Sequence, residues 1–535
     1  MALRNRRLAQ LALFLALAVL HTWPLAAGLS TWSRMDNADT ALNAWILAWD
    51  AHQLPIAPLH LFDANIFYPE PRTLAFSEHM VVQGVMGLPL FAAGLSAVTV
   101  YNVLAILGFA TSGLAMAIVV ERWTGHPRAG VVAGMAYAFN AHTLVRFGHM
   151  QALHVQFLPF ALAALHDLAD RPAWRTAWRM AAATTLQALT SNYLLVMTAV
   201  AMAASAAARP TAWLGPDGRR RLWMTLAAAA AASAAVVPFL LPYYFARERQ
   251  GLLRPFEEVA YYSGQWRDYL ATGGRLHYAL WSHRWFDGAT PLFPGLAVAL
   301  LAAYALAAPE TWRDGRARAM VVVGALGMAL SFGASLPGYR WLYDHVAILQ
   351  GIRAVVRLGW LWLVALAVLA GLGLARLERR HPRHALALAA AAGLAVTLEA
   401  ARTPVPYTRF DGIPPIYTHV AALVNPVLIE VPFPAPGVIQ QNGPYVLAST
   451  THFHDMLNGY SGFMPASYAL HAAVARRLPS ASAVEELGIL GATHLVVHGR
   501  LVGADAVAQL EATGRVRRLA VEGDDRLYAI VMPPP

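Results

Sequence analysis

Of the 535 residues, 58% are hydrophobic and 13% are charged, about half the charged share of an average soluble domain, which excludes a soluble fold of this size. The formal net charge of +10 does not make nucleic acid the partner, because much of the basic excess falls in short loops between apolar runs, where an anionic cytoplasmic leaflet retains it. With no cysteine there is neither a disulfide framework nor a thiolate metal site.

The chain opens with Arg4, Arg6 and Arg7 ahead of an apolar stretch from Leu8 to Leu29. That stretch is long enough to span a bilayer and no small-residue cleavage site follows, so it reads as an uncleaved first helix. Further apolar segments run over 99–121, 128–145, 152–169, 221–245, 290–307, 317–335, 356–377 and 383–401, and 175–208 reads as two short helices meeting at Ser191, Asn192 and Tyr193. Segment 80–97, broken by Gly84, Gly87, Pro89 and Gly94, is expected to be re-entrant or interfacial. The pattern predicts a mainly α, polytopic membrane helical bundle of about eleven transmembrane helices. Basic loops at Arg122 and Arg128, Arg171 to Arg179, Arg209 to Arg221, Arg313 to Arg318 and Arg376 to Arg383 all fall on the N-terminal side. The N-terminus is therefore expected in the cytoplasm and the C-terminus outside a cytoplasmic (inner) membrane.

This topology assigns residues 1–403 to a transmembrane domain that includes outer loops 30–79 and 246–289, and also gathers Arg146 to His154 and residues 336–355 on the outer face. After Arg402, the prolines at 404, 406, 414 and 415 mark a linker. Val427 to Val431, Tyr445 to Ala448, His494 to Val497 and Leu527 to Val531 then read as strands, with Ser467 to Arg477, Ala481 to Leu490 and Ala504 to Thr513 as helices. Residues 404–535 are expected to form a small C-terminal α/β extracytoplasmic domain.

Several side chains carry chemistry. Asp36 and Asp39 stand at the start of a helical pattern, where both can face one side as a base or around a shared cation; on spacing alone, helix capping by Asp36 or Asp39 is the favoured reading. Glu78 and His79 lie where the first outer loop re-enters apolar surroundings, suited to ligating a metal, to placing a substrate hydroxyl, or simply to an interfacial turn. His149 and His154 fall at the outer boundary of two helices; facing lipid would be costly, which argues for a water-filled cavity or a satisfied structural hydrogen bond. Arg353 and Arg357, four apart, are expected on one helix face where a span begins, as a phosphate-binding pair or a headgroup anchor. His452, His454 and Asp455 form another candidate ligand group. No P-loop, dinucleotide fingerprint, nucleophile elbow or zinc-helix motif occurs. A reaction on the outer face then needs a donor that crosses the membrane by itself, for which a lipid-linked phosphate is the obvious chemistry.

The opening helix, the acidic loop running into Asn43-Ala44-Trp45-Ile46-Leu47-Ala48-Trp49, the segments Phe67-Tyr68-Pro69 and Ser77-Glu78-His79, and the many further spans resemble the GT-C superfamily of integral membrane glycosyltransferases. The pattern looks closest to a bacterial branch dependent on polyprenyl-phosphate-linked sugars, whose outer domain carries a segment like Asn458-Gly459-Tyr460-Ser461-Gly462-Phe463. The resemblance implies inverting transfer of a sugar from a polyprenyl-phosphate donor to a cell-envelope glycan, lipid or protein acceptor, with membrane lipids and no nucleic acid as partners. Asp39 best matches the family's catalytic acid and Asp36 is second; the role is deprotonating the acceptor, sometimes with a divalent cation nearby. Arg353 and Arg357 would neutralise the departing phosphate, and Glu78, His79, His149 and His154 complete the candidate substrate-binding set. Asp36 and Asp39 lack the tight acid pairing of many members, which leaves metal dependence open. The alternatives are a secondary transporter and a non-catalytic binder of lipid-linked glycans.

Overall fold

A backbone surrounded by hydrocarbon has no water to bond, so it satisfies its N–H and C=O groups within helices. The computed structural model, which describes residues 2–533, is accordingly mainly helical. Three helical runs are long and apolar enough to cross a bilayer: Ala97–Thr124, Gly218–Gln250 and Val355–Arg380. The chain divides into two units, one made of Met1–Ala27, Val103–Pro238 and Leu253–Pro406, the other of Gly28–Asn102, Phe239–Leu252 and Tyr407–Pro535.

In the first unit the helix Trp360–Arg380 is the axis. The chain itself buries 89% of the apolar stretch of Val355–Arg380 but only 22% of that of Gly218–Gln250, whose apolar surface the described residues leave uncovered. Around the axis pack Leu296–Leu306, Gly315–Ser331 and Pro127–Ala138. Lipid tails are as apolar as leucine, so helices in a membrane gain from close backbone approach rather than from hydrophobic burial. Glycines supply that approach: a Cβ at Gly373 would overlap the carbonyl oxygen of Leu301, and one at Gly134 would overlap that of Gly113. The two short helices expected over 175–208 are Trp174–Thr190 and Asn192–Ala207, split at Ser191, whose hydroxyl accepts from the Tyr193 N–H at 3.1 Å. The basic loops are stapled by carboxylates: Glu121 holds Arg6 at 2.9 Å and Arg7 at 2.6 Å, and Asp170 holds Arg209 and Arg316.

The second unit is built on seven strands. Strands β1 (Trp32–Ser33) and β2 (Thr408–Arg409) pair antiparallel. The remaining five, β3 (Val427–Val431), β4 (Asp455–Met456), β5 (His494–His498), β6 (Val516–Glu522) and β7 (Asp525–Ile530), form one sheet in the order β4-β3-β5-β7-β6. β3 runs parallel to β4 and β5, whereas β7 is antiparallel to β5 and β6. Ile429, Leu457, Val484, Leu487, Leu495 and Tyr528 are the centre of its core, under the helices Ala466–Ala475, Ala481–Ile489 and Ala504–Ala512. Tyr445 to Ala448 departs from the expected strand: it belongs to the helix Gly443–Ala448, which has a proline in its first turn. Proline's fixed φ and missing N–H suit that position, and four apolar residues are too few to show a period.

Replacing Gly373 with leucine is expected to pry the axial helix from Leu296–Leu306 at a cost of about 1–3 kcal/mol. The melting temperature of the detergent-solubilised protein reads this; an unchanged value would contradict the close packing.

Candidate active site

In the second unit, neither acid of the Asp36/Asp39 pair caps the helix Ala38–Ile56. Asn37 does so, its side-chain oxygen accepting from the Asp39 N–H at 2.9 Å. Asp36 is exposed and held by both arms of Arg34 at 2.9 Å. That hydrogen bond keeps its carboxyl below the ordinary range, leaving it a poor base. Asp39 is half-buried, and its Oδ1 accepts from the Tyr460 hydroxyl at 2.6 Å.

Tyr460 is placed by the residues before it. Asn458 is fully buried; its Oδ1 accepts from the Glu430 N–H at 2.8 Å and its Nδ2 donates to Asn442 Oδ1 at 3.0 Å. The Phe67 N–H donates to the Asn458 carbonyl at 3.0 Å, and a Cβ at Gly459 would stand 2.5 Å from the Phe67 ring. Trp45, two turns beyond Asp39 on its helix, donates to Asn65 at 3.1 Å, and Asn65 donates to the His454 carbonyl at 3.0 Å. The acidic helix and the Asn458 segment are thus tied to one scaffold of hydrogen bonds.

Glu430, at the end of β3, is fully buried against His498 at the end of β5, with Nε2 at 3.0 Å from Oε2, while His498 Nδ1 lies 3.1 Å from Asp525 Oδ1. The Tyr445 ring stacks on the imidazole at 5.0 Å, and the Tyr417 ring lies 6.4 Å from it. Burial pushes the Glu430 carboxyl up. Burial alone would lower His498, but its hydrogen bond to Glu430 and the charges of Glu430 and Asp525 outweigh it and raise the imidazole above its usual value.

Glu78 and His79 are both buried. His79 accepts from the Val81 N–H at 3.3 Å, and its ring is packed by Phe62, Phe239 and Tyr243. Burial lowers its imidazole to about 4, so it is a neutral packing group. Asp50, which the sequence did not single out, is fully buried with neither carboxylate oxygen hydrogen-bonded, and burial raises it well above the ordinary range. His452 and His454 stack at 5.3 Å. Among the described residues no group of three or more His, Asp or Glu side chains is arranged to hold a metal ion, and Asp36 is engaged by Arg34. The residues therefore do not fit a divalent-cation site at Asp39.

The first unit holds the cationic chemistry. Arg353 and Arg357 do not share a helix face as their spacing suggested, because the chain passes through two 3-10 turns, Ala347–Gly351 and Val355–Gly359, before the helix begins at Trp360. Arg353 lies over the Tyr262 ring at 5.0 Å with Glu258 at 3.6 Å. Arg357 lies over Tyr193 at 4.9 Å, and its Nη2 is 3.5 Å from His149 Nε2. Arg357, Arg146, His142, His149, Gln151 and Ser191 are the polar lining of a cavity of about 430 Å³, its mouth included; Leu194, Met197 and Trp360 are among its apolar lining. No carboxylate lines it among the described residues. Loss of solvent and then the charges of Arg357, Arg146 and Arg353 hold His149 well below the usual histidine range, so it is neutral and the cavity keeps two full positive charges. His154 is outside this lining: fully buried, it bonds the Leu104 carbonyl at 3.0 Å.

No protein-family model matches the chain, and no curated protein matches it by sequence. Solved structures do. Arabinofuranosyltransferase AftD from Mycobacteria matches over 98% of this chain with a TM-score of 0.58 at 17% identity. The oligosaccharyltransferase of Archaeoglobus fulgidus in the apo form matches over 94% with 0.51 at 12%, and ArnT from Cupriavidus metallidurans in the apo state over 100% with 0.50 at 15%. The chain has the GT-C fold. It spans 40% of the length of AftD, 71% of the oligosaccharyltransferase and 100% of ArnT. With its long apolar helices, this GT-C-fold chain is a multi-pass membrane protein.

Within the GT-C fold, sequence reading missed His142, Gln151, Tyr193 and Tyr460. The first three carry no spacing signal. Tyr460 lay in a segment already singled out, but its partner is 421 positions away.

The His498 cluster gives the second unit a pH dependence. A raised histidine value means that its stabilisation is complete below about pH 6.5 and is lost as pH rises through the folded-state value. The melting temperature is expected to fall between pH 6 and 9, and His498→Gln to flatten that fall; a parallel decline in the variant would refute the assignment.

Proposed function

We propose that the protein is an inverting membrane glycosyltransferase that transfers a sugar from a polyprenyl-phosphate donor to a cell-envelope acceptor on the extracytoplasmic face of the inner membrane. The observation that carries this reading is the cavity with two guanidiniums and no carboxylate, which suits an anion and penalises a cation. The GT-C fold, shared with a named arabinofuranosyltransferase and an oligosaccharyltransferase, supports glycosyl transfer as the use of such a cavity. In this reading about eleven spans leave the N-terminus in the cytoplasm and the α/β region 404–535 outside, as the basic loops favour.

Asp39 takes the proton of the acceptor hydroxyl. The freed oxygen attacks the anomeric carbon from the side opposite the phosphate, the carbon–oxygen bond to phosphate breaks, and its electron pair stays on the leaving phosphate, so configuration inverts. Tyr460 fixes one oxygen of Asp39, which orients the base. Arg357 and Arg146 stabilise the charge growing on the phosphate, with Arg353 behind them, shared with Glu258. His142 Nδ1 and Gln151 Oε1 are buried without partners among the described residues, and in this reading sugar hydroxyls satisfy them. Glu78, His79 and His154 support the scaffold, and Asp36 stays with Arg34.

Asp39→Asn should lower transfer of labelled sugar from a polyprenyl-phosphate donor by about 10²–10⁴-fold while undecaprenyl phosphate still binds. Arg357→Ala should weaken that binding. Full turnover in the Asp39 variant would remove the base, and a wild-type protein that binds the lipid without any transfer would make it a binder of lipid-linked glycans.

A further inference from the structure

A second cavity, of about 1130 Å³ with its mouth included, lies in the first unit and has no part in the chemistry above. Two helical runs long enough to cross a bilayer, Ala97–Thr124 and Val355–Arg380, finish at it, and Gly315–Ser331 starts there. Trp360 lines the candidate active cavity, while Arg380, at the other end of the same helix, lines this one. That helix has 21 residues and so rises about 30 Å, the thickness of a hydrocarbon core. The two cavities therefore belong to opposite membrane surfaces, and this one opens among the basic loops.

Its wall carries both signs. Arg376, Arg379 and Arg380 come from the end of one helix, Glu310 and Asp314 from the turns between two others. Among the described residues no ion pair joins the two groups. Arg376 is fixed, its guanidinium 4.8 Å over the Tyr304 ring and donating to the Tyr304 carbonyl at 3.1 Å. Opposite charges that share a cavity without meeting suit a ligand with a phosphate and an ammonium a few ångströms apart. Asp314 also caps the helix Gly315–Ser331, its Oδ1 accepting from the Arg316 N–H at 2.8 Å, but a purely anionic headgroup would still set its phosphate beside two carboxylates and bring them no cation. Leu372, Ala308 and Ala317 add the apolar wall that the carbon beside such a headgroup needs.

We infer that this cavity binds the zwitterionic headgroup of a membrane phospholipid of the phosphatidylethanolamine class, with the phosphate on Arg379 and Arg380 and the ammonium on Glu310 and Asp314. Arg379, Arg380 and Glu310 are exposed, so they can be replaced without disturbing a core.

The test is native mass spectrometry of the delipidated full-length protein titrated with phosphatidylethanolamine, phosphatidylglycerol or soluble glycerophosphoethanolamine. Wild type should retain phosphatidylethanolamine about fivefold better than phosphatidylglycerol, one ion pair's worth of preference. Glu310→Gln should erase that preference, and the double variant R379A/R380A should weaken both lipids, with melting temperatures unchanged. Equal retention of the two lipids by wild type, or a preference that survives Glu310→Gln, overturns the inference. So does soluble glycerophosphoethanolamine binding as tightly as the lipid, which would make the occupant a free solute.

Discussion

Arg357 stands half-buried at the head of the axial helix, and among the described residues no carboxylate pairs with it. A guanidinium away from water is costly unless something answers its charge. The Tyr193 face offers only about 0.5–2 kcal/mol, and His149 offers no charge. The remainder of the first unit makes this arrangement tenable. The 3-10 turn Val355–Gly359 aims the side chain, and the buried helix that follows anchors the turn through contacts only glycine permits. Packing energy thereby holds a guanidinium in surroundings that favour an anion beside it.

The acidic half of the chemistry is secured in a different currency. Asp39 owes its position to directional bonds: Asn37 caps the helix, Arg34 occupies the neighbouring acid, and Tyr460 arrives at 2.6 Å on a segment clamped by Asn458. The same Glu430 that bonds Asn458 through its backbone carries the side chain that grips His498. The state of a buried imidazole in the sheet is thus two hydrogen-bonded steps from the segment that bonds Asp39.

Much of this was legible before the structure. Helices over long apolar runs follow from the need to satisfy backbone groups in lipid, and the break at Ser191 was visible in Ser191-Asn192-Tyr193. Asp39 stood out because it directly precedes an amphipathic helical pattern, the position the resemblance gives to an acid. Arg353 and Arg357 misled, because a spacing of four implies a shared face only where the helix is continuous, and here Arg353 falls between two 3-10 turns while Arg357 lies inside the second. The histidines split for a similar reason. His149 reaches the cavity while His154, five residues on, turns back to the Leu104 carbonyl, and His142 takes the place beside Arg146. Which histidine faces empty space depends on a short irregular stretch, where no periodicity exists to read.

Phe67 constrains Gly459 across almost four hundred positions of chain. With a Cβ at 459 standing 2.5 Å from the aromatic ring, no larger residue fits while the ring remains. The constraint runs one way: a larger side chain at 459 is accommodated only if the ring at 67 moves aside or gives way to a smaller residue, whereas a smaller residue at 67 leaves glycine in place.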